Sequence, residues 1–465
     1  MWAMQRGCYI SLRFRKKGRL APVATMDILT AVQPILVHLG PLANDFEAAG
    51  YRLYLVGGVV RDAVFGSPSE AVDLDLTTNA RPEFVRSVLE RHATVLWTQG
   101  ERFGTIGARV AGQAIEVTTH RTEKYESTTR KPQVEFGDSL DVDLSRRDFT
   151  INAMAVSLPD GEFFDPYNGR TAVSQRRLET PIDAKESFAD DPLRMLRAAR
   201  FLPRFDLQPA SGLSEAATLL ADRLAVVSQE RISTELDRLL EVENPRAGFD
   251  FLLQVDALRY VIPALSLVSQ SERNIATGLA SGPGSVSVRR AGLVYPVFVA
   301  GGSAAVRQAL QELRYSGDVQ TKTQRLLESL SAATTNDASE RDVRSFVATA
   351  GLRVSASESG AGELQEATGL VGDLEVLAAN VAALVGPVTF DGSIFAQMRQ
   401  MTVRGRELAL PQPLTGHEII KILGGSEGPK IGAAKAYLRE QWINTGDFPR
   451  DQAVTLVEQW SRDNT

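Results

Sequence analysis

The feature that most constrains this chain is a pair of acids on alternate positions of a short apolar run, Val72-Asp73-Leu74-Asp75-Leu76. A polarity period of two is the pattern of a β-strand, in which residues i and i+2 point to one face. Asp73 and Asp75 therefore share a face, and Leu74 and Leu76 turn the other way into a core. Two carboxylates held this close repel one another unless solvent or a cation intervenes. The alternation alone fits a solvated edge strand as well as a divalent-cation site.

The upstream run decides how the pair is read. Tyr54-Leu55-Val56 has the character of a buried strand, Gly57-Gly58 ends it, and Val59 to Phe65 has the periodicity of a helix stopped by Gly66. A strand that feeds a Gly-Gly turn and then a helix leaves backbone N–H groups free for an anion, and glycine lets a phosphate come close. Downstream, Glu116 lies between Ile115 and Val117 on another strand and can supply a third carboxylate. Three acids beside a phosphate cradle are the parts of a two-metal nucleotidyl-transfer site with Mg²⁺.

The chain has 465 residues, enough for about three domains at roughly 100–200 residues each. A hydrophobic fraction of 43% with 23% charged residues is that of a globular chain. No run approaches the roughly 18 continuous apolar residues of a membrane span, so no membrane partner is expected. The net charge of −6 argues against an indiscriminate nucleic-acid coat but leaves room for a local basic groove. The single cysteine, Cys8, cannot form an internal disulfide, and a cytoplasmic setting is expected. Residues 1–25 are basic and carry no acid, and they read as a disordered extension.

Strand and helix signals alternate to about residue 160. The strands are 72–76, 105–110 and 114–119, the last two a hairpin around Gly112, and a helix over 82–91 opens with Pro82. Helical periodicity then dominates, over 190–202, 211–225, 229–241, 246–256 and 304–330. Residues 278–303 are rich in Gly and Ser and read as a loop. Thr415 and Glu418 form a capping box before an apolar run, and helices fit 429–442 and 450–461. The expected organisation is α+β: a mixed-sheet head over 26–160, then an all-helical neck over 161–250, body over 251–410 and tail over 411–465.

The run Leu55-Val56-Gly57-Gly58-Val59-Val60-Arg61-Asp62 with Asp73-Leu74-Asp75 resembles the head of class II tRNA nucleotidyltransferases, the CCA-adding enzymes. Bacterial poly(A) polymerases share this head within the polymerase-beta-like superfamily. Four further blocks follow in that family's order. Arg146-Arg147-Asp148-Phe149-Thr150-Ile151-Asn152-Ala153-Met154 looks like its ribose-selecting motif, and Asp165-Pro166-Tyr167-Asn168-Gly169 like its hinge. The stretch from Asp190-Asp191-Pro192-Leu193-Arg194 to Arg197, Arg200 and Phe201 looks like its base-reading helix. Ser228-Gln229-Glu230-Arg231-Ile232 with Glu235-Leu236 looks like the supporting motif of the neck.

The resemblance implies that Asp73 and Asp75 hold Mg²⁺ with Glu116 as third acid, and that Gly57, Gly58 and Arg61 meet the triphosphate. It implies further that Arg147, Asp148 and Asn152 hold the ribose side, and that Asp191, Arg194, Arg197 and Arg200 line the base pocket, supported by Arg231 and Glu235. The implied reaction is template-independent addition of CCA to the 3′ end of tRNA from CTP and ATP. The tRNA is expected to be held at its acceptor stem and elbow, and DNA is not an expected partner.

Elementary hydrogen-bond chemistry supports the base-reading pair. Asp191 and Arg194 are three apart and share a helix face. An ionised Asp only accepts and an Arg only donates. Cytosine and adenine present an exocyclic amine beside a bare ring nitrogen, which matches; uracil and guanine present a carbonyl beside an N–H, which does not.

The segment from Thr118 through the polar stretch 126–145 resembles the loop such enzymes use in switching from C to A, which favours full CCA addition. Arg170-Thr171 replaces the Asp-Leu pair that follows the hinge in relatives. The chain has no His-Asp dipeptide and no histidine between His120 and His417, although Leu313 to Val319 resembles part of an HD phosphohydrolase body. The expectation is a degenerate HD-like body without a metal site. A poly(A) polymerase, a partial CC- or A-adding enzyme, and a catalytically silent RNA-binding protein remain alternatives.

Overall fold

The computed structural model describes residues 25–66, 73–124, 133–332, 341, 344–345, 361–385, 414–424 and 429–464. Residues 1–24 of the expected basic extension and residues 125–132 of the expected switching loop lie outside them. The chain divides into two compact units, one of residues 1–187 with 207–213, the other of 188–206 with 214–465. The first unit therefore runs past residue 160, where the head was expected to end.

The first unit is built on seven strands: β1 (Leu53–Val56), β2 (Asp73–Thr78), β3 (Ala93–Trp97), β4 (Thr105–Val110), β5 (Gln113–Thr119), β8 (Ala155–Leu158) and β9 (Phe163–Phe164). Their order is β3-β4-β5-β2-β1-β8-β9, and β2 pairs with β5 in parallel within an otherwise antiparallel sheet. The sheet is mixed, as expected. β6 (Arg121–Lys124) and β7 (Gln133–Phe136) form a separate antiparallel pair within the stretch expected as a loop. The β4–β5 hairpin turns at Ala111 and Gly112, both at positive φ (48° and 88°), as a two-residue turn that keeps strand twist requires.

Cross-strand register gives each face its character. On one face Val156, Leu55, Leu76, Val117 and Ile106 form a continuous row of partners, all fully or nearly buried. Helices α1 (Thr25–Ala48) and α3 (Pro82–His92) pack on each other, with Phe46 edge-on to Phe84. The opposite face carries the row Ala155, Val56, Asp75, Glu116, Gly107 and Trp97. Helix α2 (Gly58–Val64) leaves the end of β1, and the short α4 (Leu140–Ser145) covers part of this second face by packing Leu144 with Val56, Ala153 and Ala155. Asp165 of the hinge-like run accepts from Gly169 N (2.6 Å) and Arg170 N (3.0 Å), which caps α5 (Gly169–Ser174).

Helix α6 (Ala184–Asp190) carries the chain across the unit boundary. The second unit is helical: α7 (Leu193–Arg204), α8 (Leu213–Leu220, counted from Ser214 in this unit), α9 (Gln229–Leu240), α10 (Arg246–Gln254), α11 (Leu258–Val261), α12 (Gln270–Ala280), α13 (Val286–Glu312), α14 (Gly317–Ala332), α15 (Ala361–Val385), α16 (Gly416–Ile422), α17 (Pro429–Thr445) and α18 (Arg450–Asp463). The capping box of Thr415 and Glu418 opens α16, as the sequence indicates.

The largest departure is 278–303. Instead of a loop, it holds the end of α12 and most of α13. The glycines there mark close packing: a β-carbon on Gly292 would sit 2.7 Å from Leu279 Cβ, so Gly292 lets α13 lie against α12. Ser285 caps α13 by accepting from Val288 N, and Gly302, with φ 66°, marks its kink. By length and composition α13 could cross a membrane. Its Arg289 and Arg290 are nonetheless satisfied by protein, Arg289 by the carbonyls of Leu240, Val242 and Glu243 and Arg290 by Asp237 at 2.7 Å.

Two contacts fix α7. Glu235 of α9, 4% exposed at its side chain, accepts from Arg200 Nε (2.7 Å), Arg197 Nη1 (3.3 Å) and Arg238 Nη1 (2.9 Å). Burial pushes the Glu235 carboxyl up, but the three arginines outweigh it and hold the group below its ordinary value. Against α10, a β-carbon on Gly248 would lie 2.1 Å from the Ala199 carbonyl oxygen.

Gly248→Ala must push α10 off α7 and should cost about 1–3 kcal/mol, read as a lower Tm in thermal unfolding. Glu235→Gln leaves the buried Arg200 without its counter-charge, and a loss of about 3–5 kcal/mol at pH 7 is expected. Because the folded carboxyl titrates below its unfolded value, the difference in Tm between wild type and variant should shrink as pH falls through the folded pKa.

Candidate active site

Asp73 and Asp75 lie on one face of β2 and are both solvent-accessible, with Leu74 and Leu76 buried behind them. Parallel pairing sets Glu116 of β5 directly beside Asp75, also accessible. Asp75 keeps a path to solvent but stands deep among protein groups. Burial raises its pKa, opposed by Arg147, reinforced by Asp73 and opposed again by Arg61. Glu116 is raised by burial, then by the charges of Asp75 and Asp73. Burial is the first cause of both shifts; the neighbouring acids add to it at Glu116, whereas at Asp75 the two arginines oppose it.

Among the described residues no three acidic, histidine or cysteine side chains converge as a closed metal cage. Glu116 thus has the right register, but it does not complete a three-carboxylate shell in this conformation. The donor set still suits Mg²⁺, which takes one or two carboxylates and fills its remaining positions with water and substrate phosphate.

Gly57, expected at the phosphate cradle, has φ 74° and ψ −136°, and a β-carbon there would lie 2.9 Å from Asp75 Oδ2. Both the backbone conformation and the proximity of the acid demand glycine. Gly58 begins α2, with the Arg61 guanidinium folded back so that Nη2 would stand 3.4 Å from a β-carbon at Gly58.

Arg61 is largely buried and donates from Nη1 to Asn152 Oδ1 (3.0 Å) and from Nε to Asp62 Oδ1 (2.8 Å). Asn152 Nδ2 in turn donates to Asp148 Oδ1 (2.9 Å), which also accepts from Phe149 N (2.8 Å). Arg61, Asn152 and Asp148, assigned to two separate motifs by sequence, therefore form one hydrogen-bonded chain.

Arg147 comes close to the acids: its Nη1 would lie 3.7 Å from a β-carbon on Gly57. Its Nε is buried without a hydrogen-bond partner among the described residues. Its Nη2 reaches Asp143 Oδ2 at 3.5 Å. Asp143 is absent from the residues singled out in the sequence, although its i,i+4 spacing to Arg147 is a signal that could have found it. Burial would raise its carboxyl, but Arg147, Arg146 and His120 together bring it below its ordinary value. His120 is buried and stacks on Tyr54 with ring centroids 5.9 Å apart, in keeping with a structural role.

The second unit carries its own constellation. From 191 to 200, Asp191, Arg194 and Arg197 alone are half-exposed, in steps of three, so they form a single stripe on an otherwise buried segment. Asp191 Oδ1 accepts from Leu193 N (3.2 Å), a capping contact, and Oδ2 accepts from Arg231 Nη2 (2.8 Å). Each oxygen retains a second lone pair for a ligand. Arg231 thus stands beside Asp191, and Arg197 and Arg200 both reach Glu235. Arg200 departs from expectation: only 7% of its side chain is exposed, so its guanidinium braces α7 against α9 from inside instead of lining an open pocket.

Residues 53–179 match the family described as "Poly A polymerase head domain", and residues 206–268 match "Probable RNA and SrmB-binding site of polymerase A". A CCA-adding enzyme of Lactiplantibacillus plantarum is 38% identical over 240 residues, which is 51% of this chain and 57% of that protein. One of Geobacillus stearothermophilus is 39% identical over 200 residues, 43% of this chain and 48% of that one. The chain thus aligns with about half the length of these curated relatives. In three dimensions it resembles the Bacillus stearothermophilus CCA-adding enzyme solved with CTP, with a TM-score of 0.63 at 23% identity over 93% of this chain and 98% of the other. It also resembles the Thermotoga maritima CCA-adding enzyme solved with tRNA, with a TM-score of 0.57 at 20% identity over 94% and 98% of the two chains. Residues 53–179 thus match the poly A polymerase head family, and the chain has the fold of the CCA-adding enzymes.

Proposed function

We propose that this chain is a tRNA nucleotidyltransferase that adds C, C and A to the 3′ end of tRNA from CTP and ATP. The observation that carries the reading is the juxtaposition at the end of β1 and β2: Asp75 between Gly57 and Glu116, with Arg147 against the same glycine. The names of the curated relatives, all CCA-adding enzymes, support it. The single cysteine agrees with a reducing, cytoplasmic setting.

In this reading Asp73 and Asp75 hold Mg²⁺, and Glu116 adds negative charge beside them. The metal supplies Lewis-acid activation of the attacking hydroxyl and neutralises the triphosphate. The tRNA 3′-oxygen forms a bond to the α-phosphorus of the nucleotide, the bond to the β-phosphate oxygen breaks, and pyrophosphate leaves with the electron pair. Arg147 offers its guanidinium edge, with Nη1 beside Gly57, to the phosphate and ribose side. The chain of Arg61, Asn152 and Asp148 fixes the floor of the same region, so catalysis is mainly positioning and electrostatics. Asp191 accepts from the exocyclic amine of cytosine or adenine while Arg194 donates to the adjacent ring nitrogen.

The family description of the head favours a second reading, a poly(A) polymerase. The product separates the two. Given a tRNA that lacks its last three nucleotides, all four nucleoside triphosphates and Mg²⁺, the protein should yield one discrete CCA end by 3′-end sequencing. A run of A would assign it to polyadenylation, and a stop at CC to partial addition. Asp75→Ala should reduce extension by at least about two orders of magnitude, and RNA binding with no extension by wild type would overturn the enzymatic reading.

The acid cluster makes a second prediction that needs no RNA. Asp75 and Glu116 titrate above their ordinary values, so their charged forms weaken the fold at neutral pH, and that penalty lifts as pH falls through the folded pKa values. Mg²⁺ should raise Tm at pH 7, by the equivalent of about 2.7 kcal/mol at a hundred times its Kd. Asp75→Asn should raise the metal-free Tm and abolish most of the Mg²⁺ increment in the same thermal scan.

A further inference from the structure

Asp143 is a buried carboxylate of the first unit, with 1% of its side chain exposed. Its Oδ1 accepts from Nε and Nη2 of Arg146, both at 3.1 Å, and from the backbone N–H of Arg121 at 3.5 Å. Its Oδ2 faces Thr77 Oγ1 at 3.2 Å, whose single proton it shares with the Thr118 carbonyl at 3.1 Å, and accepts from Arg147 Nη2 at 3.5 Å. These partners come from three places in the chain: β2, the start of β6, and the turn that follows α4.

Thr77 shares a strand face with Asp73 and Asp75. Asp143 is therefore anchored to the strand of the acids, one side-chain row beyond Asp75, and from there it grips the arginine that approaches Gly57 and Asp75 from the other direction. The Thr77 bond ties it to β2, and the turn of α4 sets its distance to Arg147. Asp75 Oδ2 and Arg147 Nη1 lie 2.9 and 3.7 Å from one point, the place a β-carbon on Gly57 would take, so an Arg147 released from Asp143 has Asp75 within reach. It would then fold onto an acid assigned to the metal instead of presenting its edge to an incoming nucleotide.

We propose that Asp143 is a positioning residue for the incoming nucleotide: held by Thr77, it keeps Arg147 off Asp75 and aimed at the sugar and phosphate side of CTP and ATP. The inference rests on the nucleotidyl-transfer reading and extends it. It assigns Asp143 no contact with substrate; its effect passes through Arg147.

The test is a double-mutant cycle in the full-length protein. Asp143→Asn keeps the shape and removes the charge. In the otherwise wild-type chain it should raise KM for CTP and weaken equilibrium binding of CTP in Mg²⁺ by about tenfold, with a smaller change in kcat. It should also narrow the preference for CTP over dCTP. In an Arg147→Ala background the same substitution should change CTP binding by less than about twofold, because the residue it acts through is gone.

A merely structural Asp143 would lower Tm and give equal losses in both backgrounds, and that additivity would overturn the inference. Unchanged CTP affinity and unchanged CTP/dCTP preference in Asp143→Asn would do so as well. Should Asp143→Asn not fold, Thr77→Val removes the anchor and leaves the charge. It must then show a weaker shift of the same sign that disappears without Arg147, and its absence counts against the inference equally. A wild-type protein that neither binds CTP nor extends tRNA removes the nucleotidyl-transfer reading and this inference with it; wild-type activity with an indifferent Asp143→Asn removes the inference alone.

Discussion

Parallel pairing of β2 with β5 is the constraint on which the candidate site depends. It places Asp75 against Glu116 on one face while Leu76 meets Val117 on the other. A slip of one residue would turn the acids into the core and the leucines into solvent, so burial of the apolar row holds the acidic row in place. The core on the α1 and α3 side thus enforces electrostatic repulsion on the far side. Burial, reinforced by the neighbouring acids, is what raises the titration of Asp75 and Glu116 there.

Buried polar groups then take over where the sheet ends. Asp143 joins Thr77 of β2 to Arg146 and Arg147, and Asp148 joins the next turn through Asn152 to Arg61 of α2. Each is a carboxylate facing cationic or amide donors inside the protein, where an unpaired partner would be expensive. The site is therefore held by linked ion pairs and hydrogen bonds more than by any single contact. In the second unit Glu235 serves a parallel purpose, using Arg197 and Arg200 to hold α7 so that Asp191, Arg194 and Arg197 present one stripe.

Period-two patterning made β2, β4 and β5 readable, and Gly112 and Pro82 marked the hairpin and the start of α3 at the right places. The acids were readable for the same reason: alternation forces them onto one face. β3, β8 and β9 were not, because Ala93–Trp97 is a half-exposed edge, Ala155–Leu158 is buried on both faces, and Phe163–Phe164 is too short to show a period. Residues 278–303 misled because Gly and Ser count as loop formers locally, whereas Gly292 is there for the sake of Leu279 on another helix.

The sequence by itself determined which residue types could carry the chemistry: the paired acids, the glycine turn and the Asp191–Arg194 spacing follow from local periodicity and donor–acceptor rules, and the arginine-rich motifs from their resemblance to a known family. Only the tertiary structure decided how they are used. It turned Arg200 inward to Glu235, linked Arg61 to Asp148 through Asn152, and joined Asp143 to Thr77 of β2. The physical reason is that local rules act over a few bonds, while a buried charge is stabilised by whatever partners the fold brings to it, 66 residues away in the case of Thr77 and Asp143.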